Sequence, residues 1–197
     1  MSAAGLVVRL LGLGLTALAC ASGGGVPGEV LNDPITERLV MAPYPAATPW
    51  KQVSDRHTRG GSIAVWVPAG QDLEHARDLL TRQVILGRGK AAPSDLASDL
   101  AKGYTERCPD ARVGGPRRGT EDGNDVAYAE VSCSLQQLVL LKVIRGHEAL
   151  YAAQREFRRE PEAAALREAN SYLAEQVYLC PIIGGTGRCE HPPSIFE

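Results

Sequence analysis

Five cysteines (Cys20, Cys108, Cys133, Cys180, Cys189) and four histidines (His57, His75, His147, His191) are the residues best equipped for chemistry. A cysteine can ligate metal, attack a substrate, close a bridge or carry a lipid, and a histidine can move protons or bind metal. Their spacing excludes most of this. Zinc sites pair ligands through two to four residues, whereas eight residues separate Cys180 from Cys189, with His191 beyond. His147 and Glu148 follow Gly146 in a turn and read as solvated rather than as an acid–base pair. His75, beside Glu74 and Asp78, reads as the wet side of a helix. Asp122-Gly123-Asn124-Asp125 begins like a calcium loop but lacks the later ligands, so it reads as a turn. Neither a nucleophile elbow nor a glycine-rich strand-to-helix phosphate loop is present, because Gly23-Gly24-Gly25 falls in a linker-like stretch. The expectation is a chain with no catalytic residue, no metal and no cofactor.

Cys20 stands apart from the other four. It follows Leu10 to Leu18, an apolar run of nine residues, where a membrane span needs about 20. A short run behind a positive amino terminus and Arg9 reads as a cleaved export signal. Ala17-Leu18-Ala19 before Cys20 resembles the lipobox of bacterial lipoproteins, with the first two positions departing from the usual order. The resemblance implies cleavage before Cys20, a lipid on that cysteine, and anchoring at the cell outer membrane facing the periplasm. The alternative is ordinary secretion to a soluble periplasmic or external state, since Ala17-Leu18-Ala19 or Ala19-Cys20-Ala21 also satisfies a small-residue cleavage site.

Setting Cys20 aside leaves an even number of cysteines, and an oxidising compartment favours bridges. Of the three possible pairings, Cys108–Cys133 and Cys180–Cys189 are preferred. The first ties a helix end to a strand; the second closes a short loop whose glycines permit a tight return.

The chain has 197 residues, 21 basic and 23 acidic, with a net charge of −2 and a pI near 6.1. That balance gives no broad footprint for nucleic acid or anionic lipid. Residues 1–19 read as the signal, 20–49 as a Gly/Pro-rich tether, and 50–197 as a single domain, with Leu39-Val40-Met41 able to dock on it.

Within the domain, Gly61 to Val67 is a strand signal closed by Pro68. Leu73, Ala76 and Leu80 recur at helical spacing, so Asp72 to Leu80 reads as a helix, with Thr81 to Leu86 as a strand. Pro93 opens a helix through Leu96, Leu100 and Tyr104 to Cys108. Arg112–Arg118 and Asp125–Ser134 read as a hairpin around Gly119–Asn124. Gln137–Arg145 and Glu148–Phe157 follow as strands, and a helix from Pro161 carries Leu166, Ala169, Leu173 and Val177 along one face. The expected fold is α+β, a twisted antiparallel sheet with helices packed on it and disulfides stabilising it. From Trp50 to Cys180 this element order resembles the PsbP-like sandwich of small exported proteins, a resemblance that implies no activity.

Two charged groups remain. Arg117 and Arg118, with Arg112, form a basic spot expected to be neutralised by Glu121, Asp122 and Asp125. Arg155, Arg158 and Arg159, with Glu156 and Glu160, read as a charge-laced sheet edge. Trp50 and Trp66 read as core or tether-docking residues. The functional expectation is a membrane-anchored, non-catalytic binding or assembly module that contacts another envelope component, with Arg117 and Arg118 beside the C-terminal segment as its contact surface. The alternatives are a small periplasmic hydrolase of envelope polymers, or an immunity or inhibitor protein against a secreted toxin.

Overall fold

The computed structural model describes residues 37–45, 49–134 and 137–181. Chain contacts divide the protein at Pro34, and all described residues belong to the second unit. The expectations for Cys20, Cys189 and His191, and for the chain before Glu37, lie outside the described residues.

Nine strands and two helices occur among the described residues: β1 Glu37–Met41, β2 Trp50–Thr58, β3 Gly61–Pro68, β4 Asp78–Leu86, α1 Pro93–Thr105, β5 Arg112–Glu121, β6 Asn124–Ser132, β7 Leu138–Arg145, β8 Ala149–Phe157, α2 Ala163–Glu175 and β9 Val177–Pro181. Seven strands form one antiparallel sheet in the order β2-β3-β4-β8-β7-β6-β5, and β1 pairs with β9 in a separate ribbon. The architecture is α+β, and the Cys108–Cys133 disulfide is present. It joins the segment after α1 to the residue that follows β6. Cys180 is also disulfide-bonded.

Turn chemistry fixes two hairpins. Asp122 and Gly123, at φ 48° and 79°, form the two-residue link between Glu121 and Asn124, so the strands run further into the expected turn than composition implies. Gly61 opens β3 at φ 144°, where a Cβ would lie 1.8 Å from the Val84 carbonyl oxygen; no side chain fits there.

Alternation along β6, β7 and β8 sorts side chains onto two buried faces. Ala127, Ala129, Val139, Leu141, Val143, Leu150 and Ala152 pack under Leu96, Ala97 and Ala101 of α1. Leu138, Leu140, Ile144, Tyr151, Ala153 and Phe157 face the other way, toward Ala169, Tyr172 and Leu173 of α2, with Leu39 and Val177 from the ribbon.

Four expectations need correction. Asp72–Leu80 is not a helix. The chain turns at Leu73–His75 and enters β4 at Asp78, with Ala76 and Leu79 packed on Val67 in a small separate cluster. Val177 does not continue α2; it begins β9. Arg155 is not on a sheet edge, because β8 is the central strand and Arg155 is only 4% exposed. Glu37–Met41, within the expected tether, is strand β1 of the folded unit, and its Leu39 enters the core.

Candidate functional site

α2 and the β1·β9 ribbon cover one part of their face of the sheet. Beside them, over β2, β3 and β4, lies a cavity of about 590 Å³. Its walls include Tyr44 and Pro43 from the segment after β1, Tyr172 of α2, Trp50 of β2, Trp66 of β3 and Leu80 of β4. Local sequence explains the placement. Trp66 and Leu80 are antiparallel partners, so both side chains stand on one face. Tyr44 packs its ring centroid 4.7 Å from Tyr172 and 5.3 Å from Trp50. The Tyr172 hydroxyl donates to the Ala42 carbonyl at 2.7 Å, which holds the Met41–Tyr44 wall on the helix.

Arg155 lies beneath these rings. Its guanidinium carbon sits 5.0 Å from Tyr44, 4.7 Å from Trp50 and 4.2 Å from Phe157, measured to ring centroids. A cation over aromatic faces is stabilised by the ring quadrupoles. Asp78 lies 3.7 Å away, and the guanidinium donates to the Glu156 carbonyl at 3.2 Å. Its Nε and the indole Nε1 of Trp50 are buried without a hydrogen-bond partner. The cavity therefore has largely apolar, aromatic walls with a buried guanidinium behind them, a make-up suited to binding an apolar group. Burial is also the leading cause that raises the Tyr44 and Tyr172 hydroxyls above the ordinary tyrosine range.

A second buried cation has a different role. Lys142 of β7 is fully buried and donates from Nζ to the Val177 carbonyl at 2.8 Å and the Ala174 carbonyl at 3.1 Å. It also pairs with Glu121 at 2.6 Å. Tyr128 donates to the same carboxylate at 2.5 Å. Lys142 thus satisfies carbonyls at the C-terminal end of α2, where a cation is favoured by both hydrogen bonding and the helix dipole. Burial pushes its pKa below the ordinary lysine value, while Glu121 pulls it back. With its donors taken, this ammonium fastens α2 to the sheet.

The residues singled out from sequence do not converge. Arg117 and Arg118 are exposed on edge strand β5. Two of the three acids expected to neutralise them are engaged elsewhere: Glu121 with Lys142, and Asp125 with Arg145 at 2.6 Å. His57 pairs with Asp55 at 2.9 Å on exposed β2. His75 lies in the 72–75 turn against Asp72, also at 2.9 Å, and each holds the other in its charged form. His147 is exposed in the β7–β8 turn. Cys180 sits in β9 on the ribbon, while the rest of the expected C-terminal contact surface is outside the described residues. Among the described residues, no helix is long and apolar enough to cross a membrane.

The site that forms rests on Tyr44, Trp50, Trp66, Arg155 and Tyr172, which no sequence motif links. One signal was available: Lys142 and Arg155 each interrupt an apolar row of alternate residues in a central strand, a position where charge must be partnered.

No family model matches the chain, and no curated protein matches it. Among solved structures, the chain is similar to the solution structure of cyanobacterial PsbP (CyanoP) from Synechocystis sp. PCC 6803. The identity is 14%, with 80% of this chain and 97% of that chain covered and a TM-score of 0.49.

Proposed function

We propose that this protein is a non-catalytic binding module of the bacterial cell envelope, tethered through lipid on Cys20 to the periplasmic side of the outer membrane, and that the aromatic cavity is where it grips an envelope partner. The observation that carries the reading is the cavity itself. Tyr44, Trp50 and Trp66 are only partly buried around it, and aromatic side chains of this kind dominate binding hot spots. The anchor rests on the short apolar run ending at Cys20. The exposed pair Arg117 and Arg118 is the competing contact surface.

Affinity capture from detergent-solubilised envelopes, read by mass spectrometry, tests both parts. Tyr44→Ala with Trp66→Ala should abolish recovery of the partner that wild type retains, while the circular dichroism spectrum stays native. Charge reversal at Arg117 and Arg118 should leave recovery intact. If the reversal abolishes recovery and the aromatic variant does not, the contact surface is the β5 edge. Cys20→Ser should move the protein from the detergent phase to the aqueous phase or leave it uncleaved; unchanged partitioning overturns the anchor.

A further inference from the structure

The aromatic cavity has a neighbour. A second cavity, about 280 Å³, lies further along the same face, between β1 and the β2–β4 strands, lined by Leu39, His57, Ser62, Arg82 and Val84 among others. Its chemistry differs from that of the first. Arg82 stacks on Trp66 with its guanidinium carbon 5.6 Å from the ring centroid. Its Nε is buried without a hydrogen-bond partner, and among the described residues no carboxylate lies within ion-pair distance of it. Neither nearby acid pairs with Arg82, although Glu37 lines the same cavity. Asp55 pairs with His57, and the Glu37 carboxylate accepts from the Glu148 amide at 3.3 Å. A guanidinium with an unused buried donor is a strong site for an incoming carboxylate.

The two cavities keep a fixed spacing. Trp66 and Leu80 floor the first, and Ser62 and Val84 floor the second; each is a cross-strand pair. Along β3 and along β4 the two pairs are four residues apart, and so are Leu39 and Pro43 on the wall. Four residues of strand span about 13 Å. In extended chain, residues i and i+4 also point to the same side. β1, which forms the wall, pairs with β9, and its Glu37 carbonyl accepts from the Tyr151 hydroxyl at 3.4 Å. Side chains four residues apart on one extended ligand can therefore enter the two cavities together.

Building on the proposed binding role, we infer that the groove takes an extended peptide segment of the partner, bearing an aromatic side chain for the Tyr44–Trp50–Trp66 cavity and, four residues away, an acidic side chain for Arg82. Charge complementarity at Arg82 and the matching four-residue spacing of the two cavities favour this occupant over a compact small molecule.

Trp50 and Trp66 are the only tryptophans in the chain, and both line the first cavity, so intrinsic fluorescence reads the groove directly. The probes are acetylated, amidated nonapeptides without tryptophan, carrying Phe and Asp four residues apart in both chain orders. Controls replace Asp with Asn or shorten the spacing to three. Titrated into the purified protein, one Phe/Asp order should give a saturable emission change. The Asn and three-residue controls should bind at least tenfold more weakly. Arg82→Gln should lose as much affinity for the Asp peptide and lose nothing further with the Asn peptide. Equal binding of Asp and Asn peptides to the wild-type protein overturns the inference, whatever the fold of the Arg82 variant. So does an absence of binding by every peptide, or tighter, Arg82-dependent binding of dodecanoate, which would make the occupant a single-chain amphiphile. If partner capture still depends on Tyr44 and Trp66 in any of these cases, the binding role stands and only the peptide assignment falls.

Discussion

The two faces of the central strands are built on opposite principles. Under α1 the sheet presents Ala127, Ala129 and Ala152 against Ala97 and Ala101. Small side chains on both surfaces let helix and sheet approach closely, and Val139, Leu141 and Val143 fill the remaining volume. The opposite face buries two cations, Lys142 and Arg155, and two tyrosines, half-covers two more tyrosines and both tryptophans, and stays open over β2 to β4. The first face is a closed joint whose stability comes from apolar packing. The second is held by directed bonds to named carbonyls and rings, which leaves polar capacity available for a ligand.

The largest effect that separates the faces should come at alkaline pH. Burial raises Tyr44, Tyr104, Tyr128, Tyr151 and Tyr172 above their ordinary value of 10.0. For a group whose folded pKa is raised, the unfolded chain loses its proton first as pH rises. The stability it contributes is therefore complete below pH 10 and lost above it. Lys142, lowered from 10.5, works in the opposite sense but is one group against five. Four of these tyrosines lie on the α2 face, and only Tyr104, a residue of α1, lies on the other. Denaturation monitored between pH 9 and 12 should show the midpoint falling above pH 10. Hydrogen exchange should show α2 and β9 opening before α1. Simultaneous opening of both helices would erase the distinction.

Leu141→Ala tests the packed joint. Leu141 is 1% exposed, and such truncations cost about 2–5 kcal/mol, read as a drop in denaturant midpoint. Lys142→Met tests the directed one. Packing volume is retained, but the Ala174 and Val177 carbonyls lose their donor, at about 3 kcal/mol for two unsatisfied groups. Exchange protection should fall in α2 and β9 specifically. An equal fall in α1 would mean that Lys142 supports the core as a whole. The smallest effect is expected at Asp125→Ala, because its pair with Arg145 is 40–45% exposed on both sides and worth about 0.5 kcal/mol.

The same contrast explains what the sequence made legible. α1, the β5–β6 hairpin, β7 and β8 are visible because period, turn residues and Pro93 agree locally. β2 escapes notice because it is an edge strand, WKQVSDRHT, whose outward residues dilute its alternation. β1 and β9 are five residues each and exist through each other, so neither carries a pattern strong enough to be read alone. Leu73, Ala76 and Leu80 mimic helical spacing by chance, across a turn that Asp72 stabilises by accepting the His75 amide at 2.8 Å. The groove is the least legible feature, since Tyr44, Trp50, Trp66 and Tyr172 come from four separate elements and their meeting is a property of topology.

The ribbon also determines how the domain bears load. Glu37 is paired with Pro181 and Met41 with Val177, so the two ends of the described chain lie side by side. Tension applied between those ends would open the ribbon like a zip, one hydrogen-bonded pair at a time. Tension between the segment before Glu37 and a strand held along β1 would instead act along the strand axis and load all of its bonds together. A molecule tethered through its N-terminal side and gripping a partner beside β1 would thus pull on its strongest direction.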